Sequence, residues 1–156
     1  MPASPDVRSI MTAQVVTLSP DQTIHEGADL LAKHRFGAAP VVDDAGVFAG
    51  LLRDEDLLVS ESNLHMPTMY SLLGAELVLP SSMRRWEREL RQIGGSTVGE
   101  VMQVDAPTVT PGTSLETLAT LMHDTGATHV PVVDDAGKVV GIVARGDLVR
   151  HLAATD

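Results

Sequence analysis

The sequence predicts an α/β (α+β) chain made of two tandem units, each ordered β-α-β-β-α, packed as one pair about a pseudo-two-fold axis. Three observations predict it. The heptapeptide Pro-Val-Val-Asp-Asp-Ala-Gly stands at residues 40–46 and again at 131–137. Its neighbours repeat as well: Met11 and Met102, Thr17 and Thr108, Pro20 and Pro111, Gly50 and Gly141, and Asp56 and Asp147 share one offset of 91 residues, without a gap between residues 7 and 58. The apolar spacing also changes from helical to extended at the same places in both copies. A small three-stranded sheet with helices on one side cannot bury its apolar face alone, so each copy supplies half of a common core.

Each copy opens on a short strand, Val15 to Leu18 and Thr108 to Val109. A helix follows, with Ile24, Ala28 and Leu31 on one face of the first copy and Leu115, Leu118 and Met122 on one face of the second. Thr23 with Glu26, and Thr113 with Glu116, have the spacing at which a hydroxyl and a carboxylate satisfy free amides of a first helical turn. The strand Pro40 to Val42, copied as Pro131 to Val133, runs into Asp43-Asp44-Ala45-Gly46 and its repeat, residues that tolerate positive φ. Val47 to Leu52 then pairs back on Pro40 to Val42, and a last helix closes the copy.

The repeats span residues 7–58 and 98–152, leaving 59–97 as a helical connecting segment. Two helices are expected there. One follows Pro67 through Met66 to Gly74. The other opens at Pro80-Ser81-Ser82, carries Met83, Trp86, Leu90 and Ile93 on one face, and ends at Gly94-Gly95. Trp86 and Tyr70, the single Trp and Tyr of the chain, either pack on the pair or form a dimer interface or partner surface.

A net charge of −10, from 21 acidic and 11 basic residues, repels polyanions and argues against nucleic acid as a partner. There is no cysteine, hence no disulfide or thiolate chemistry, and no apolar run approaches a membrane span of about 20 residues. The opening Met-Pro-Ala-Ser-Pro-Asp lacks a basic and apolar targeting pattern, so a cytoplasmic protein without membrane attachment is expected. No nucleophile-elbow, zinc-protease, phosphate-loop or dinucleotide motif occurs, and catalysis is not expected. The six histidines have no metal spacing supported by a second ligand pair. His25 with Asp29 reads as an exposed helix face, and Asp43-Asp44 and Asp134-Asp135 read as solvated turns; no metal or covalent cofactor is expected.

Val7-Arg-Ser-Ile-Met11 and Val98-Gly-Glu-Val-Met102, the Pro-Val-Val-Asp strand and turn, and Gly50 or Gly141 followed six residues on by Asp56-Leu57 or Asp147-Leu148 occur twice in order. On these motifs the chain resembles a pair of cystathionine-β-synthase (CBS) motifs forming a Bateman module, and is similar to small stand-alone bacterial proteins of that family. The resemblance implies two clefts for adenosine-containing ligands such as AMP, ADP, ATP, NAD or S-adenosylmethionine, a regulatory role toward a partner protein of unknown identity, and a homodimer. It places ribose on Asp56 and Asp147, whose carboxylates can accept from two hydroxyls. The adenine edge falls to backbone around Ala13, Val15 and Val16 in one copy and Val104, Ala106 and Pro107 in the other, with Leu51 and Ile142 over the ring faces. The family's Ser/Thr before the aspartate is Arg53 in one copy and Ala144 in the other. Arg53 either supplies a cation in its place or points outward, Ala144 supplies nothing, and Arg145 stands next to it.

Each cleft of the family combines the aspartate of one motif with the leading strand of the other. Thr128 and His129 therefore accompany Asp56, whereas Gly37 and Ala38 accompany Asp147. The Asp56 cleft is expected to be the better phosphate site, with AMP binding there strengthening as pH falls from about 8 to 6 through the ordinary histidine range. The alternative is a structural or dimerisation module whose clefts have lost useful affinity.

Overall fold

The computed structural model describes residues 4–57, 69–72, 75–78 and 97–154, the two short central stretches as backbone only. In chain order it contains a 3-10 turn (Val7–Ser9), α1 (Ile24–His34), β1 (Ala38–Val42), β2 (Phe48–Arg53), β3 (Met69–Leu72), β4 (Ala75–Val78), α2 (Val98–Val101), α3 (Leu115–Thr125), β5 (His129–Val133), β6 (Val139–Ala144) and α4 (Arg145–Ala154). β1–β2, β3–β4 and β5–β6 form three antiparallel pairs.

Helix α1 starts where Thr23 Oγ1 accepts the amide of Glu26 at 3.1 Å. In the second copy that cap is Ser114, which accepts from Thr117 at 3.1 Å, and not Thr113 as the sequence suggested. Thr113 closes the turn before it by accepting the amide of Thr110 at 3.1 Å, as its counterpart Gln22 does for Ser19 at 2.8 Å. The repeated heptapeptide makes two hairpins of equal geometry. Asp43 Oδ1 accepts from Ala45 and Val47 at 2.9 and 3.0 Å, Asp134 Oδ1 accepts from Ala136 and Lys138 at 2.9 and 3.0 Å, and Gly46 and Gly137 both turn at φ 81°. The tips meet, the Phe48 amide donating to Gly137 O at 2.9 Å.

The expected opening strands shrink to one residue each. Leu18 bridges Val41 in parallel, and Val109 bridges Val132. Prolines explain this. The Leu18 amide donates to Pro40 O and the Val42 amide donates to Leu18 O, so the next ladder bonds on either side would require the amides of Pro20 and Pro40, which do not exist; Pro111 and Pro131 block the second copy in the same way. The three-stranded unit is thus a two-stranded hairpin with one parallel bridge.

The helix expected from Met66 to Gly74 is also corrected. Met69–Leu72 pairs antiparallel with Ala75–Val78, Leu72 facing Ala75 across two intervening residues. The helix expected around Trp86 lies outside the described residues.

The halves are joined by exchange. Val7, at the start of the first copy, is fully buried among Leu118, Val130, Val132 and Val143 of the second. Its counterpart Val98 is fully buried among Leu18, Leu31, Val41 and Leu52 of the first. Backbone bonds fix both, the Val7 amide donating to Thr113 O and the Val98 amide to Gln22 O, each at 2.8 Å. The exchange continues into the hairpins. Thr12 trades both backbone bonds with Ile142 of β6, at 2.9 and 3.1 Å, and Gln103 trades both with Leu51 of β2, at 2.8 and 3.0 Å. Ala38, Leu51 and Ala106 are buried together between the copies, with Phe48 and Ile142 packed on them. Among the described residues no helix is long and apolar enough to cross a membrane.

Candidate ligand-binding site

The exchanged segments leave two clefts between the copies, each of about 250 Å³, just under the roughly 300–1,000 Å³ usual for small-molecule sites. In cleft I, Val15 and Val16 from the leading segment of the first copy face Ile142, Ala144 and Asp147 of the second, and Gly37 and Ala38 close the end. In cleft II, Pro107 of the second copy faces Leu51 and Arg53 of the first, with Thr128 and His129 at the corresponding end. His129 lines both clefts.

Five sequence candidates line neither cleft, Asp56 among them. Ala13 is exposed, Val104 is 68% exposed, and Ala106 is buried in the core between the copies. Arg145 is exposed and lines a separate depression with His123 and Leu148. Residues missed from the sequence line the clefts instead: Thr12, Gln14, Arg35, Phe36 and Pro40 in cleft I, and Glu55, Gln103, Asp105 and residues 125–127 in cleft II. The offset of 91 was the available signal, because it maps Thr12 on Gln103, Gln14 on Asp105, Arg35 on Gly126 and Phe36 on Ala127.

The two aspartates differ in what holds them. Asp147 Oδ2 accepts the amide of Ala144 at 2.8 Å, and Oδ1 pairs with Arg150, an arginine 74% exposed. A surface ion pair of that kind is weak and easily exchanged for a ligand. Asp56 also accepts the amide at its own position minus three, Arg53, at 3.0 Å. Here, however, the Arg53 guanidinium folds onto the carboxylate as well, with Nε at 3.1 Å from Oδ2 and Nη2 at 2.7 Å from Oδ1. Nη1 pairs with Glu55 at 2.9 Å. The hydrogen bond to Asp56 holds the Arg53 proton more firmly than usual. Arg53 therefore neither points outward nor offers a free cation, and Asp56 itself does not line cleft II. Glu55 and Asp105 also line cleft II, two carboxylates that oppose a phosphate there.

His129 stands between the clefts. Its Nδ1 lies 3.0 Å from Thr128 Oγ1, and its Cε1 would be 2.9 Å from a Cβ at Gly37, so any larger residue there would require the ring to shift. Burial lowers its pKa below the ordinary histidine value, outweighing Asp54 and Asp147, which raise it; Arg145 lowers it further. The expected titration between pH 8 and 6 is therefore displaced to lower pH. The neutral ring is favoured by the folded state, so its stabilisation is complete above the unfolded value of about 6.5 and is lost as pH falls through the folded one. In urea titrations at pH 7.5 and 5.5, wild type is expected to lose more stability than His129→Asn over that interval. Equal losses would show that the ring is not desolvated.

The repeats at residues 7–62 and 98–154 match the family described as CBS domain. The chain belongs to the CBS domain family. Over 142 residues this CBS pair is 35% identical to the CBS domain-containing protein YhcV of Bacillus subtilis, covering 91% of this chain and 81% of that one. Its fold is similar to that of Arabidopsis thaliana CBSX2 in complex with AMP, at 26% identity and a TM-score of 0.73, covering 96% of both chains. It also shares the fold of the CBS domain pair of protein MJ0100, crystallised with 5′-methylthioadenosine and S-adenosyl-L-methionine, at 22% identity and a TM-score of 0.75, covering 99% and 100% of the two chains. The CBS pair thus brings Asp147 and Ile142 of one motif against Val15 and Val16 of the other.

Proposed function

We propose that this CBS pair is a regulatory module that takes an adenosine-containing ligand in cleft I. The observation that carries the reading is the Asp147 carboxylate lining an otherwise largely apolar cleft, with Ala144 at the position where the other copy has a covering arginine. Val15, Val16 and Ile142 offer apolar walls for a purine, and Asp147 offers acceptors for two ribose hydroxyls. The AMP complex of the similar CBSX2 supports the same ligand class. Cleft I is built from both copies, so a ligand that fits one relative arrangement better than another shifts the population between them and alters the surface shown to a partner protein. The reading is of a non-catalytic, cytoplasmic homodimer. The exposed Val149 and Leu152 on α4, 58% and 60% accessible, give the helical face an apolar surface for a second copy.

Titration calorimetry of the full chain with AMP, ATP, NAD and S-adenosylmethionine tests the proposal. One site per chain with micromolar to sub-millimolar affinity is expected for at least one of them. No heat at millimolar ligand would favour a purely structural module.

A further inference from the structure

Arg35 is the residue that the sequence motifs did not absorb. It caps the C-terminal end of α1 with φ 55° and ψ 39°, the left-handed region, and it has the only positive φ among the described non-glycine residues. Its counterpart in the second copy is Gly126, at φ 73°. Glycine adopts that conformation without steric cost, whereas a side chain pays for it. Nothing lies within 4 Å of where a Cβ would stand at Gly126, so the positive φ and not packing is what disfavours a side chain there.

Arg35 lines cleft I beside Phe36, whose ring stacks on His34 with centroids 5.1 Å apart. Among the described residues no carboxylate lies within ion-pairing distance of Arg35, and it is exposed. The adjoining wall is acidic. Asp54 Oδ2 would lie 3.8 Å from a Cβ at Gly37, and Asp147 lines the same cleft. Phosphate entering cleft I would be repelled by these carboxylates without a cation at hand, and the half-buried His129 is held neutral by its burial.

From this arrangement the geometry points to Arg35 as the group that selects a phosphate-bearing nucleoside over the neutral nucleoside in cleft I. The inference rests on the adenosine reading of that cleft. The guanidinium forks onto phosphate oxygens, its charge offsets Asp54 and Asp147, and the conformational cost of a side chain at this cap is met by ligand discrimination. Cleft II has glycine at the equivalent place and lacks the selector.

The test is calorimetry of the full chain with AMP and with adenosine, for wild type, Arg35→Gly and Arg35→Lys. Arg35→Gly places the residue of the second copy into a conformation that suits it, so its thermal midpoint is expected to equal or exceed that of wild type. AMP affinity is expected to fall about tenfold in Arg35→Gly while adenosine affinity changes less than about twofold, with Arg35→Lys in between. The AMP preference of wild type is also expected to shrink with added salt, and that of Arg35→Gly to be insensitive to it. An unchanged AMP-to-adenosine ratio in Arg35→Gly overturns the role of Arg35 alone. Equal affinity of wild type for the two ligands does the same. Failure of wild type to bind either ligand overturns the cleft reading and this inference together.

Discussion

Asp147→Ala is expected to weaken AMP binding by roughly 10- to 150-fold, the loss of about 1.5–3 kcal/mol that accompanies removal of a charged hydrogen-bond acceptor. Asp56→Ala is expected to leave AMP affinity within about twofold. Both carboxylates occupy the same place in the repeat, and both receive the amide three residues before them. They differ in the side chain at that third residue. Ala144 leaves Asp147 lining its cleft, whereas Arg53 occupies both oxygens of Asp56. Asp147→Ala also gives up the Ala144 bond at the start of α4, a loss of about 1 kcal/mol in stability, so circular dichroism at the titration temperature must accompany the calorimetry. Loss of binding in Asp56→Ala with retention in Asp147→Ala would reverse the assignment of the clefts. Retention in both would remove the ribose role from the aspartates.

Gly141→Val is expected to lower stability by about 2–3 kcal/mol and the melting midpoint by roughly 5–10 °C. A Cβ at Gly141 would stand 2.6 Å from Met11 Sδ and 3.2 Å from Thr12 O. At Gly50 it would stand 2.6 Å from Met102 Sδ and 3.1 Å from Gln103 O. Each glycine thus admits a methionine and a backbone strand from the opposite copy, and a branched side chain would push the pairing strand off β6 or β2. Combining Gly141→Val with Met11→Ala should recover part of the loss, because the smaller side chain relieves one of the two collisions. A melting midpoint within about 1 °C of wild type for Gly141→Val would show that the exchanged segment is not tightly seated.

The offset of 91 residues made most of the architecture legible. It fixed both long helices, both hairpins and their turn residues, because these depend on local periodicity and on glycine and aspartate at defined places. What it did not convey came from competition over distance. The opening strands were read from apolar runs, but four prolines remove the amides that would extend their ladders. Met69–Leu72 was read as helical from Pro67, although Gly74 between two short apolar-rich runs also suits a hairpin, and the pairing partner decided between the two. The cap at Ser114 was off by one because Thr113 and Ser114 offer the same chemistry in sequence, and only Thr110 shows which hydroxyl is committed elsewhere. The family resemblance led to Asp147 standing across a cleft from Val15 and Val16 and to Thr128 lining the other, whereas His129, expected in one cleft, reaches both. The Arg53 clamp did not, since a cation three residues before a carboxylate can equally serve a ligand or the carboxylate itself. Arg35 was legible only through its counterpart Gly126, since its own sequence neighbours do not announce a left-handed residue.

The exchange of leading segments also sets the order in which the shared core can close. Val15 and Val16 are translated well before β6 and Asp147. Until β6 emerges, Thr12 has no strand to pair with, Val7 and Met11 have no finished core to enter, and cleft I has one wall. The leading segment of the first copy therefore stays undocked until β6 is made, and the step that buries it is the same step that creates cleft I. A polypeptide halted before residue 147 lacks the far wall of cleft I, whereas the finished pair holds segments distant in the sequence against one another there.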